Sequence, residues 1–432
     1  MNSVEKIKNV ILSNCVDEAE RKIGVEIEGL YYTDSFERLP VNKSSIFSAT
    51  DLLNKIKIGG KAFSYSLEPG GQLEWASLPS VDLWEIQSQY DDHMLKEENL
   101  CKKHGINRLF LSVDPFFSPD KIELIDSLKY ELMHNEFIKH AKLGPWMMRN
   151  TTSVQLNIDF TSEKDANEMA YIADAIQPLL SILFSNAPFI KKQTVGNVNM
   201  RWKIWSNTDP HRCGSLFKHN INSLDSIVDD YARWINDLQV IFKYDSLKNA
   251  NFFNGTMDDM ISSSNSEQEL HILSALHQSF TNVRFKSVLE IRSSDRPPRG
   301  FELAPAAFIA GLLIDKENRQ TILEMITDWT DFDHNELYQT ANELSFSAKG
   351  PNGKNIGDWL SLLSSLSLEG LDRRSVFYNI KNERPLLETL LNDILINGPM
   401  TIQVQEKYMN SGLPLDRFLF ESDLDSKINT LP

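Results

Sequence analysis

The residues able to do chemistry in this chain sit on segments that alternate like strands. In Ile23-Gly24-Val25-Glu26-Ile27-Glu28, the apolar Ile23, Val25 and Ile27 share one face, and Glu26 and Glu28 share the other. Same-face acids this close repel unless a cation sits between them. In Ser64–Ser77 (SYSLEPGGQLEWAS), two short alternating runs flank the turn Pro69-Gly70-Gly71-Gln72. The predicted register sets Glu68 opposite Glu74, away from Leu67, Leu73 and Trp75; a one-residue slip would bury one of the acids. Thr151–Phe160 is the cleanest strand, with Gln155 and Asn157 on its polar face. Val283–Arg292 reads as one strand that shows Arg284, Lys286, Glu290 and Arg292 on one side. Asn199–Trp205 reads as another, with Arg201, Lys203 and Trp205 together. Converging carboxylates hold a divalent cation, and a glycine turn lets phosphate approach the backbone. Guanidiniums take carboxylates and the charge that develops in phosphoryl transfer. The plain alternative is an ordinary hairpin and a solvated sheet face.

Long helical stretches separate these strands: Val4–Arg21, residues 51–58 and 80–104, Lys164–Leu183, Asp225–Tyr244, Glu267–Phe280, and most of the chain from Phe301 to about Leu391. Asn254–Ser266 reads as a mobile loop, and Asn397–Pro432 as a tail with one short helix. Strands do not alternate with single helices, which argues against a parallel βαβ sheet. The expected class is α+β: a mainly antiparallel sheet of about six strands, helices on one face, the acids and arginines on the other. One domain is expected over residues 1–432, with residues 316–432 its mainly helical part. A net charge of −16 over 432 residues speaks against broad nucleic-acid or anionic-membrane binding. Three scattered cysteines without CxxC spacing, an N-terminus unlike a signal peptide, and no apolar run beyond Leu303–Ile314 point to a cytoplasmic protein with reduced thiols. Walker A, GxGxxG, HExxH and GxSxG motifs are missing.

Taken in order, IGVEIEGLY, SLEPGGQLEWAS, MMRNTTSVQLNIDF, IQPLLSILFSNAPF, MRWKIWSNTDPHRCG and VLEIRSSD resemble the glutamate-cysteine ligases of the plant and proteobacterial type. The resemblance runs from about Ile23 to about Gly311 and weakly on to the C-terminal helices. It implies a fold like the catalytic domain of glutamine synthetase, with a curved sheet, helices on its convex side and the site in its concave face. It implies ATP and Mg2+ (or Mn2+), and phosphorylation of the glutamate γ-carboxylate followed by displacement of phosphate by an amine. With L-cysteine the product is γ-glutamylcysteine, the first step of glutathione biosynthesis. By this resemblance Glu26, Glu28, Glu68, Glu74 and Glu290 are metal ligands, and Glu290 and Arg292 serve catalysis. Gly70, Gly71, Gln72, Gln155, Asn157, Arg284 and Lys286 are assigned to the nucleotide. Arg149, Thr151, Arg201, Trp205 and Arg212 are assigned to the amino-acid substrates. The chain departs from the family pattern at Trp75, Ile272, Ala275, Phe280–Arg284 and Ser293-Ser294. These departures leave open another amine acceptor or another carboxylate, and, further off, a non-catalytic descendant that binds a nucleotide or amino acid. The expected assembly is a monomer or homodimer.

Overall fold

The alternation at Ile23–Thr33 builds the central strand, β1, of a seven-stranded sheet. A computed structural model describes residues 2–58, 63–264 and 266–420. The other strands are β2 (Ser64–Leu67), β3 (Leu73–Ala76), β4 (Ile106–Leu109), β5 (Ser153–Ile158), β6 (Val283–Phe285) and β7 (Leu289–Asp295). Their order is β6-β7-β5-β1-β3-β2, with β4 beside the far half of β1, and every pairing is antiparallel.

The register sorts the side chains. Ile27 pairs with both Trp75 and Val154, and Val25 with Leu156, so one face is continuously apolar. Those five residues are at most 1 % exposed. Because the side-chain period is two, the same register sends Glu26, Glu28, Glu74, Gln155, Asn157 and Glu290 to the other face. The apolar face is covered by α1 (Leu83–His104), α4 (Glu163–Leu183) and α6 (Ala304–Leu313). The polar face lies under α2 (Leu128–His140), α3 (Gly144–Asn150) and α5 (Met200–Ser206), which share a second apolar cluster containing Phe137, Met147, Met148 and Ile204.

Five sequence expectations are corrected. Val283–Arg292 is a hairpin, closed by the Lys286 N–H donating to the Val288 carbonyl at 2.9 Å. Its turn, Lys286-Ser287-Val288, carries neither glycine nor proline and so left no signal. The stretch read as a strand at 199–205 is instead the helix Met200–Ser206: Arg201, Trp202 and Ile204 are buried on α5, and seven residues were too few to separate a period of 2 from one of 3.6. The loop expected at 254–266 contains a helix, Met257–Ser262, started by a capping box between Thr256 and Asp259. The tail holds two helices, Met400–Ser411 and Leu415–Phe420, and residues 421–432 lie outside the described residues. The Val4–Arg21 helix ends at Ile11.

The C-terminal helices belong to the same core as the sheet. Leu371 of α7 (Ile356–Tyr378), Ile394 and Phe418 join the apolar cluster that holds Ile27. α6 and α7 cross with backbone against backbone. A Cβ on Gly370 would lie 1.9 Å from the Gly311 carbonyl oxygen, and one on Gly311 would lie 2.1 Å from that of Ser367. Gly370→Ala is therefore expected to cost about 3 kcal/mol, read as a lower denaturation midpoint; an unchanged midpoint would mean the helices can part freely. Among the described residues no helix is long and apolar enough to cross a membrane.

Candidate active site

Between the polar sheet face and its helical roof lies a cleft of about 350 Å³. Its acidic end is built by register. Glu28 pairs opposite Glu74 across β1 and β3. Glu68 does not oppose Glu74 as expected: Ser66 does, and its hydroxyl donates to Glu74 Oε1 at 2.7 Å. The turn closes one step later, where the Glu68 N–H donates to the Gln72 carbonyl at 2.9 Å. Since Glu68 is two residues from Ser66, it still faces the cleft. Oxygens of Glu28, Glu68 and Glu74 lie within 4.8 Å of one another. Burial, then the Glu68 charge, pushes the Glu28 carboxyl up to about 8, against the pull of Arg201 and Arg292. Burial and the neighbouring acids also raise Glu68 and hold Glu74 well above the usual carboxylate range. Three convergent hard oxygen donors, kept from ionising together, fit Mg2+ or Mn2+.

The cationic end surrounds Glu290, which is fully buried. Burial alone would raise its pKa, yet Arg284, Lys286 and Arg292 hold it well below the usual range. Arg284 Nε and Lys286 Nζ each lie 2.5 Å from its oxygens, and Arg292 Nη1 lies 2.9 Å away. The side-chain amides of β5 join the two ends. Gln155 donates to Glu28 at 3.0 Å and accepts from Arg292 at 2.7 Å; Asn157 donates to Glu26 at 2.9 Å. Arg201 lies 3.7 Å from Asp295, and the faces of Trp205 lie under Arg201 and Arg292. Among the described residues, Arg201 Nε, Arg292 Nε and the Trp205 indole N–H are buried donors without a partner. Unmet buried donors cost roughly 1–3 kcal/mol each, so this end suits an anionic ligand.

The structure divides the expected site residues. Glu28, Glu68 and Glu74 converge. Glu26, two residues along β1, is bound to Asn157 and lies 3.9 Å from Lys286, outside that group. Glu290 is outside it too, its oxygens held by cations rather than facing the other acids. Gln155, Arg284, Lys286, Arg292, Arg201, Trp205 and Thr151 line the cleft, and Asn157 borders it through Glu26. The Gly-Gly turn has a packing role. A Cβ on Gly70 would meet the Arg149 carbonyl oxygen at 2.4 Å, and Gly71 has φ +78°. Gln72 lines the cleft, but its amide accepts from Gly70 N and donates to the Met148 and Thr151 carbonyls, locking the turn to α3. Arg149 donates to the Pro119 and Ile122 carbonyls, and Arg212 to those of Gln239 and Gln278; neither lines the cleft. The departure at Trp75 lies on the opposite, apolar face, packed on Tyr90 and His93.

Sequence reasoning missed Lys129, which enters the cleft from α2 with its charge bearing on Glu68; burial lowers its pKa. It also missed the wall of Met133, Met147, Met148 and Phe280. A lysine in a polar helix gives no sign of which way it points.

The model of the family described as "Glutamate-cysteine ligase family 2(GCS2)" matches residues 22–356, well over half of the chain. The chain belongs to that family. Glutamate-cysteine ligase A, chloroplastic, of Oryza sativa subsp. indica is 29% identical over 323 residues, 72% of this chain and 64% of that protein. The chloroplastic glutamate-cysteine ligase of Nicotiana tabacum is 31% identical over 277 residues, 62% of this chain and 52% of its own. The chain thus spans less than two thirds of the length of these family members. A glutamate-cysteine ligase structure from Francisella tularensis, in complex with AMP, superposes with a TM-score of 0.57 at 13% identity, covering 95% of this chain and 89% of that one. That likeness is one of fold: the sheet and its helices are arranged as in that ligase.

The raised acids of this family member make its metal-free stability depend on pH. A carboxyl with a folded pKa near 8, against an unfolded value near 4.5, favours the fold while protonated. That contribution is lost as pH rises from about 5 to 8, and for Glu28 it amounts to a few kcal/mol at most. In chelator, Glu28→Gln should therefore gain stability over the parent as pH rises through this window. A difference that stays flat from pH 5 to 8.5 would contradict the assignment.

Proposed function

We propose that the chain joins the γ-carboxylate of L-glutamate to the amine of L-cysteine, with ATP as phosphoryl donor, to give γ-glutamylcysteine. The observation that carries this reading is one cleft with three convergent carboxylates at one end and partnerless guanidinium donors at the other. Mg2+ held by Glu28, Glu68 and Glu74 would neutralise phosphate oxygens and align the γ-phosphoryl group. A γ-carboxylate oxygen bonds to the γ-phosphorus of ATP as ADP leaves; the amine nitrogen then bonds to the acyl carbon, and phosphate leaves with loss of an amine proton. Lys286 and Arg284 stand where they can hold phosphates, and Arg292 where it can meet the acyl phosphate. Arg201, steadied by Asp295, is placed for a substrate carboxylate, with Trp205 closing that side against water. The rest is proximity. The described chain acts as one catalytic unit, and its free cysteines accord with a cytoplasmic setting.

The test is phosphate release from ATP with magnesium, L-glutamate and a panel of amines, with product masses read alongside. Turnover with L-cysteine and a γ-glutamylcysteine mass is expected. Turnover confined to another amine would keep the cleft chemistry and replace the acceptor. Silence with every acid and amine would overturn the reading.

A further inference from the structure

Away from the cleft, a groove of about 540 Å³ is lined by Arg38, Phe116, Phe117, Lys121, Lys191 and Lys192, and by one acid, Glu37. In a chain of net charge −16 this is an uncommon grouping of cations. Lys191 and Lys192 form the turn of the hairpin Phe189–Ile190/Gln193–Thr194. Their φ values are +50° and +65°, the left-handed region that such two-residue turns demand and that Asn-Gly normally fills. Two adjacent lysines there are strained, and strain of this kind is a reason to look for function. The hairpin is also tied down: the Lys192 N–H donates to the Pro115 carbonyl at 2.7 Å, and the Lys191 ammonium lies 5.8 Å over Trp146. Both side chains are exposed, and among the described residues neither has a carboxylate within ion-pair distance.

We propose that this groove is a second ligand site, for a small organic phosphate. The choice of phosphate over carboxylate follows from the cations. Arg38, the guanidinium that could grip a carboxylate with two parallel bonds, is committed to Asp114 at 2.8 Å and the Gly70 carbonyl at 2.7 Å. What remains is ammonium groups, point charges suited to phosphate oxygens; among the described residues that of Lys121 pairs only with the exposed Asp120, 3.7 Å away. Phe117 offers an apolar wall to the organic part. The tied turn fixes the backbone of both lysines beside the groove, which removes part of the ordering cost of binding.

The proposal stands independently of the ligase reading, and calorimetry on the full chain tests it. The probes are inorganic pyrophosphate, fructose 1,6-bisphosphate and, as a polycarboxylate, citrate. The phosphates are expected to bind with Kd below about 1 mM and citrate at least about tenfold more weakly. The double substitution Lys191→Asn/Lys192→Gly installs the residues the turn prefers. It should raise Tm by roughly 1–2 °C while weakening phosphate binding at least about tenfold, so lost binding cannot be put down to unfolding. Binding that survives within about twofold in this variant belongs to the cleft and would overturn the site. Failure of every phosphate probe to bind the parent up to about 10 mM, citrate binding as tightly as the phosphates, or a lowered Tm in the variant would each overturn it as well.

Discussion

Glu74→Gln is expected to make the protein more stable and nearly inactive at once. Glu74 is held well above the usual carboxylate range by burial and by Glu26, Glu68 and Glu28, so its ionised form works against the fold. An amide of the same shape removes that repulsion and can still accept from Ser66. In chelator at pH 8 the gain should be about 1–2 kcal/mol, seen as a higher melting temperature. A neutral amide gives up one of three anionic oxygens offered to magnesium. Turnover should fall by roughly 10³-fold, and the magnesium concentration for half-maximal rate should rise. Unchanged turnover would remove Glu74 from the metal site. A lower melting temperature would mean that the acid contributes to the fold as an anion.

Glu290→Gln should do the reverse to stability. Glu290 is the buried counter-charge of Arg284, Lys286 and Arg292, and its pKa is held far down by them. Removing the charge leaves three cations facing one another, and stripping one partner from a buried ion pair typically costs about 3–5 kcal/mol. The loss should shrink in high concentrations of sulfate or phosphate, which can stand in for the carboxylate. Turnover should also drop, by about 10²-fold or more, as Arg292 loses its orientation. The acid was expected from sequence as a metal ligand. If it acts instead as an anchor for cations, its replacement shifts stability strongly and the magnesium requirement little. A shifted magnesium requirement with unchanged stability would restore the ligand role.

The alternation in β1, β3 and β5 carried most of what could be read before the fold was known. A strand has two faces, so Ile23, Val25 and Ile27 dictate where Glu26 and Glu28 go. Two things were hidden. An arginine looks the same in sequence whether its guanidinium reaches a ligand or a backbone carbonyl: Arg201 lines the cleft, while Arg149 and Arg212 pin loops. Which acids converge is set by small offsets in pairing. The hairpin register places Ser66, not Glu68, across from Glu74, and the unseen turn at Lys286-Ser287-Val288 lays Arg284 beside Glu290. Lys129 came into view only through the packing of α2.

The bare crossing of α6 and α7 sets a rule for building hybrids. The family match stops at residue 356, where α7 starts, so the helices beyond it look exchangeable in a chimaera. They are exchangeable only as a fitted part. Gly311 on one side of the joint accepts nothing but naked backbone, and any grafted segment must bring its own glycine to the position Gly370 occupies. A donor helix with a side chain there would wedge α6 away from the sheet whose other face carries the acids. Exchanging C-terminal segments in this scaffold is thus a problem of matching one seam, and most random junctions will fail at it.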